Sequence, residues 1–200
     1  MSWITNVLGR PAKAEVWSAV AEEYGGALIG RGFLRGHELR VTMHDYLVVL
    51  DTYSTGTNAT NTYTRLALNT TTPPRFTFSV HRESIFSTVG KWFGAQDIHV
   101  GGEDFDDRYI IQGDDVSRVR ELLRDPAVRT RIRSEPEINL DVRVLADGSS
   151  ELIYERFGVI RDAARLRNLF DLFDAIIPTI YGAPRTRRPA NGSVSCSSLE

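Results

Sequence analysis

Cysteine is nearly absent: Cys196 stands alone in a polar C-terminal segment. A single thiol excludes a disulfide framework and a multi-thiolate metal site. Lysine is almost as scarce, with only Lys13 and Lys91, so 22 of the 24 basic residues are arginine. Long apolar runs are missing as well, and no stretch approaches the ~20 residues of a membrane span. The opening MSWITNVLGRPAKAEVW has no charged region followed by an apolar core, so no secretory signal is expected and the cytoplasm is the expected compartment. Neither GxGxxG, GxxxxGK[ST] nor GxSxG occurs, which removes support for the common nucleotide and hydrolase sites. With a formal net charge of −2, the chain has no global attraction for nucleic acid or anionic lipid.

What is present suits one globular domain. The 200 residues are 42% apolar and 25% charged, and a chain of this length can bury roughly 70% of its unfolded surface. The arginines are scattered, which reads as coding bias, although a guanidinium fork also suits carboxylates and phosphates.

Apolar periodicity predicts a helix over 12–25, with Val16, Trp17, Val20, Ala21 and Tyr24 as its stripe and Gly25-Gly26 as its stop. Four alternating runs follow: HELRVTM, YLVVLDTY after a tight His44-Asp45 turn, TYTRLALN and FTFSVH. They read as a four-strand antiparallel meander. RESIFSTVGKWFG reads as a helical turn, and RYIIQG as a strand. Asp114 or Asp115 caps a helix carrying Val116, Val119, Leu122 and Leu123, and Pro126 opens a second helical piece. INLDVRVL and SELIYERF flank the Asp147-Gly148 hairpin signal. A last helix runs from about 161 to 177 and ends at Pro178. The expected fold is therefore α+β: an antiparallel sheet, the meander plus later hairpins, packed against three main helices. The expected organisation is an N-terminal arm at 1–11, one α+β domain at 12–182, and a disordered tail at 183–200 whose closing Leu199-Glu200 would fit a cloning scar.

Two polar clusters invite a functional reading. The first is QDIHVGGEDFDDR at 96–108. A hairpin turning at Gly101-Gly102 alone would put Asp97, His99, Asp104 and Asp106 on one face, as a metal site able to activate water would need. A turn over 101–104 instead pairs Val100 with Phe105, His99 with Asp106 and Asp97 with Arg108, which satisfies charge and apolar matching without a metal. The second register is preferred; no metal or other cofactor is expected, and a metal-dependent hydrolase is the alternative.

The second cluster follows from the meander. Keeping Leu39, Val41, Met43, Val48, Leu50, Leu66, Leu68, Phe76, Phe78 and Val80 on one face pairs Leu66 with Leu50 and Phe78. The opposite face then aligns Glu38, Asp51, Arg65 and Ser79 in one row, and Tyr53, Tyr63 and His81 in the next. Asp51, Tyr53, Tyr63, Arg65 and His81 form the expected ligand site, with Arg65 as an anion clamp and the aromatic row as a stacking surface. A third cluster, Arg118, Arg120, Arg124, Arg129, Arg131 and Arg133, is offset by acidic neighbours and has no stacking aromatic, so nucleic-acid binding is not favoured. Arg185, Arg187 and Arg188 lie on the tail.

The segments YTRLAL at 63–68, GAQDIHVGGEDFDDRYIIQGDD at 94–115 and DAARLRNLFDLFD at 162–174 resemble a family of uncharacterised conserved bacterial proteins over most of residues 12–181. The resemblance implies one compact domain and no particular activity, cofactor or catalytic residue. The functional expectation is a non-catalytic soluble binding or interaction domain, its partner a small ligand or a protein.

Overall fold

Val16, Trp17, Val20 and Ala21 recur at helical spacing and are buried on α1 (Lys13–Glu23), which Gly25 ends at φ 62°. This is a computed structural model, and it describes residues 12–30, 36–56, 61–82 and 96–182. The expected arm at 1–11, most of the segment read as a helical turn before the acidic stretch, and the tail at 183–200 lie outside them.

Strands β1 (Ala27–Gly30), β2 (His37–Met43), β3 (Tyr46–Thr55) and β4 (Asn61–Thr70) form consecutive antiparallel pairs. They are followed by β5 (Phe78–Arg82), the two-residue β6 (Gln96–Asp97), a single helical turn α2 (Glu103–Asp106) and β7 (Tyr109–Gly113). Helices α3 (Val116–Arg124) and α4 (Pro126–Arg133), strands β8 (Asn139–Val144) and β9 (Ser150–Phe157), and helix α5 (Ala163–Tyr181) complete the described chain. All nine strands join one antiparallel sheet in the order β1-β2-β3-β4-β9-β8-β5-β7-β6. The α+β class with an antiparallel sheet is as expected.

The face assignment holds as well. Every strand residue named above for the apolar face is buried, and these side chains share one core with Trp17 of α1, Val119 and Leu123 of α3, Ile132 of α4 and the Leu166–Ile180 stripe of α5. Asp115 caps α3 by accepting from the amides of Ser117 and Arg118, and Asp125 caps α4 ahead of Pro126. None of the described helices is long and apolar enough to cross a membrane.

Strand order departs from the meander. Leu66 pairs with Leu50 on one side, but its other partner is Tyr154 of β9, not Phe78. The β8–β9 hairpin is inserted between β4 and β5, and β5 pairs with β8 and β7. The physical reason lies in the Thr70–Arg75 connection: Pro73-Pro74 favours extended backbone over a tight hairpin and carries the chain past two strand positions. Apolar matching could not expose the error, because Tyr154 and Leu152 present as good a buried surface to β4 as Phe78 would. Five helical segments, rather than three main helices, are present among the described residues.

α5 also continues beyond its expected end, with Pro178 inside it and Gly182 as C-cap at φ 92°.

Candidate functional site

The sheet face away from the core carries a polar row. Glu38 and Asp51 follow the pair Leu39–Leu50 by one step, Asp51 stands opposite Arg65, and Arg65 opposite Glu155. Asp51 and Arg65 meet through a fork: Arg65 Nε donates to Asp51 Oδ1 at 3.0 Å and Nη2 to Oδ2 at 2.7 Å. Asp51 is buried, whereas the Arg65 side chain keeps 36% of its surface exposed. The hydrogen bond to Asp51 holds the guanidinium above its already high ordinary pKa, against the opposing effect of burial, so the cation is permanent.

Beside this fork lies an aromatic row. Tyr53 and Tyr63 are direct cross-strand partners and their rings stack at 5.4 Å and 14°. Tyr63 pairs with Phe157 of β9, edge to face at 5.6 Å and 82°. The Arg65 guanidinium lies 5.2 Å from the centre of the Tyr53 ring, within cation–π range. Burial, then the charge and hydrogen bond of Glu155, push the Tyr53 phenol up to about 12. It therefore stays protonated at neutral pH. Phe157 is 59% exposed, unusual for an aromatic side chain at the end of a buried strand.

Four of the five expected ligand-site residues, Asp51, Tyr53, Tyr63 and Arg65, are thus contiguous. His81 is not among them. It shares the long row of Arg65, but Glu155 and Asn139 intervene, placing it three strands away, about 14 Å. Ser79 falls in a different row, opposite Asp141 of β8 and Gln112 of β7. Both displacements follow from the inserted hairpin. Glu155 and Phe157 take the vacated places; the alternation in SELIYERF puts them on one face, but only the strand order puts that face beside Arg65.

The acidic stretch forms neither expected hairpin. Asp97 pairs with Gln112 rather than Arg108, and the connection contains α2. Asp106 accepts from the amides of Val100 and Gly101 at 2.9 Å each, tying off the turn in which Gly101 (φ 84°) and Gly102 (φ 108°) hold left-handed backbone. Gln112 Nε2 donates to Asp97 Oδ1 at 3.0 Å, while the side chains of His99 and Asp104 are exposed. Among the described residues, no three His, Cys, Asp or Glu side chains are grouped to hold a metal ion.

Arginines complete this turn. Arg120 Nε donates to the His99 carbonyl at 2.8 Å, and Arg129 Nη2 to the carbonyls of Gly101 at 2.7 Å and Val100 at 3.2 Å. Arg129 and Arg133 lie over the Phe105 ring at 5.1 and 5.6 Å. Arg118 reaches the Arg75 carbonyl, Arg131 the Asp171 carboxylate, and Arg165 forks onto the fully buried Glu135. Coding bias alone does not describe these residues: the planar fork satisfies loop carbonyls that a single ammonium could not span.

Compared with known proteins, the chain matches no family model, no curated protein and no solved structure.

Proposed function

We propose that this chain is a non-catalytic binding domain, and that Asp51, Tyr53, Tyr63 and Arg65, extended by Glu155 and Phe157, are its recognition surface. The supporting observation is the fixed cation–aromatic strip. Asp51 locks the Arg65 fork by two hydrogen bonds, and Tyr53 and Tyr63 stack beneath it. Side chains already held in one rotamer lose little entropy on binding, and aromatic and arginine groups dominate recognition energetics. The outer edge of the guanidinium, Nη1, makes no hydrogen bond to the described residues. It suits a carbonyl or carboxylate oxygen.

The ligand class is a flat, conjugated small molecule carrying one such oxygen, laid along the Phe157 end of the strip. The cytoplasmic setting and the kinship with conserved bacterial proteins belong to the same proposal and rest on the sequence. The test is a ligand screen by ¹H–¹⁵N chemical-shift perturbation on the wild type, Arg65→Ala and Phe157→Ala. Hits that map to β3, β4 and β9 and weaken at least about tenfold in both variants support the reading, since truncating a hot-spot anchor costs about 2 kcal/mol or more. Hits with wild-type affinity in Arg65→Ala count decisively against this surface. A response only to a protein partner would replace the small ligand.

A further inference from the structure

β5 and β8 present a square of polar side chains on the outer face, separate from the Arg65 strip. Ser79 stands opposite Asp141, and His81 opposite Asn139. Ser79 and His81 are 1% and 2% exposed, and Asp141 is also buried. Four buried atoms in this square, Ser79 Oγ, His81 Nδ1, Asn139 Oδ1 and Asp141 Oδ1, make no hydrogen bond among the described residues. Their flanks offer little help. Ile110 and Gln112 stand beside them on β7 and Ile153 on β9, and Gln112 has given its amide to Asp97. Burying a polar group unpaired costs free energy, so three orphan oxygens in one square, Ser79 Oγ, Asn139 Oδ1 and Asp141 Oδ1, point to a group that binds there; His81 Nδ1 lies on the other side of its ring from Nε2 and is not part of that count.

The square is rich in electron-pair donors: a carboxylate oxygen, an amide oxygen, a hydroxyl and an imidazole. That inventory fits a cation and repels an anion. His81 Nε2 lies 3.2 Å from Asp141 Oδ1, yet this oxygen accepts no hydrogen bond, so the two are close but misaligned. Two ligands of one tetrahedral zinc ion stand about 3.3 Å apart, each lone pair pointing about 35° off the line between them. The same pair of facts describes both arrangements.

We propose that Ser79, His81, Asn139 and Asp141 form a site for a divalent transition metal of the zinc type, with His81 and Asp141 as its principal ligands. Imidazole selects zinc-like ions over calcium and magnesium. One imidazole and one carboxylate fall short of the three strong protein ligands of a catalytic zinc site, so micromolar affinity is expected, with Asn139 Oδ1 and Ser79 Oγ as weak supplementary donors.

The experiment is calorimetric titration of chelator-treated protein with zinc chloride, repeated for His81→Gln, Asp141→Asn and Asp97→Asn. One equivalent of zinc, weakened at least about tenfold in His81→Gln and Asp141→Asn and unchanged in Asp97→Asn, supports the site. No binding by the wild type, full affinity in His81→Gln, or loss in Asp97→Asn alone overturns it. If either ligand variant fails to fold, the wild type still decides: zinc must shift the His81 ring ¹⁵N resonances, and an unmoved ring overturns the proposal.

Discussion

His44 Nε2 lies 3.0 Å from the backbone carbonyl oxygen of Asp174 and 3.0 Å from its Oδ1. Pro178, four residues on, has no N–H for that carbonyl. With its proton on Nε2, His44 supplies from the β2–β3 turn the donor that α5 lacks. That offsets part of what Pro178 costs the helix, whose burial of Ile176, Ile177, Ile180 and Tyr181 favours its running on to Tyr181. The turn has its own cost, since His44 and Asp45 both hold left-handed backbone, at φ 49° and 67°.

Two substitutions separate these effects. His44→Ala removes the donor and should lower stability by about 1 kcal/mol in urea unfolding. Asp45→Gly keeps the contact and relieves the left-handed backbone, so it should raise stability by about 0.5–1 kcal/mol. An unchanged midpoint in His44→Ala would show that solvent serves the Asp174 carbonyl equally well.

Asp106 gives a sharper contrast, because it was a candidate metal ligand and instead closes a turn. Asp106→Ala leaves the amides of Val100 and Gly101 without their acceptor and should cost about 1–2 kcal/mol. The loss should be the same with and without a chelator. A loss seen only without chelator would return Asp106 to a metal role.

The contrast between Leu66 and His81 shows what the sequence could and could not reveal. Period-two alternation put Leu66 in the core and Arg65 on the opposite face, because a one-residue slip would have exposed the whole apolar set. Asp51 was legible as the partner of Arg65, since both belong to consecutive strands with matched apolar neighbours. His81 was misplaced because alternation fixes a residue's face and says nothing of which strand lies alongside. The β8–β9 hairpin, which begins only at Asn139, offered no local sign that it would displace β5. Asp106 and Arg129 were misread for a different reason: side chains that satisfy loop backbone carry no periodic signal at all.

Alkaline titration tests the electrostatics of the candidate strip. Burial and Glu155 raise the Tyr53 phenol to about 12, against about 10 in the unfolded chain. The folded state thus holds this proton more tightly, so the contribution is fully present below about pH 10 and is lost as pH rises through 12. Phenolate absorbance, compared between wild type and Tyr53→Phe, should assign a late-titrating phenol to Tyr53. In Glu155→Gln the phenol should titrate earlier, because both the charge and much of the hydrogen-bond bias are gone. A Tyr53 that ionises near 10 in the wild type would mean that its ring is neither buried nor beside Glu155 in solution.

The close approach of the α1–β1 connection to β2 predicts a damaging small change. At Gly26 an added Cβ would lie 2.4 Å from the Arg40 carbonyl oxygen and 2.8 Å from Val41 Cγ2. Arg40 belongs to β2, paired with Ala27 on one side and Val49 on the other, so that carbonyl cannot swing away without breaking two ladders. Gly26→Ala should therefore cost about 3 kcal/mol or more, the upper end of what overpacked sites cost, because the clash is with backbone. Gly25 is the natural control: it sits at φ 62° but has nothing within 4 Å of its added Cβ. Gly25→Ala should cost only the left-handed penalty, about 1–2 kcal/mol. Chemical denaturation of the two variants orders them directly, and a Gly26→Ala protein as stable as Gly25→Ala would mean that Gly26 is not seated against Arg40 and Val41 of β2 as described.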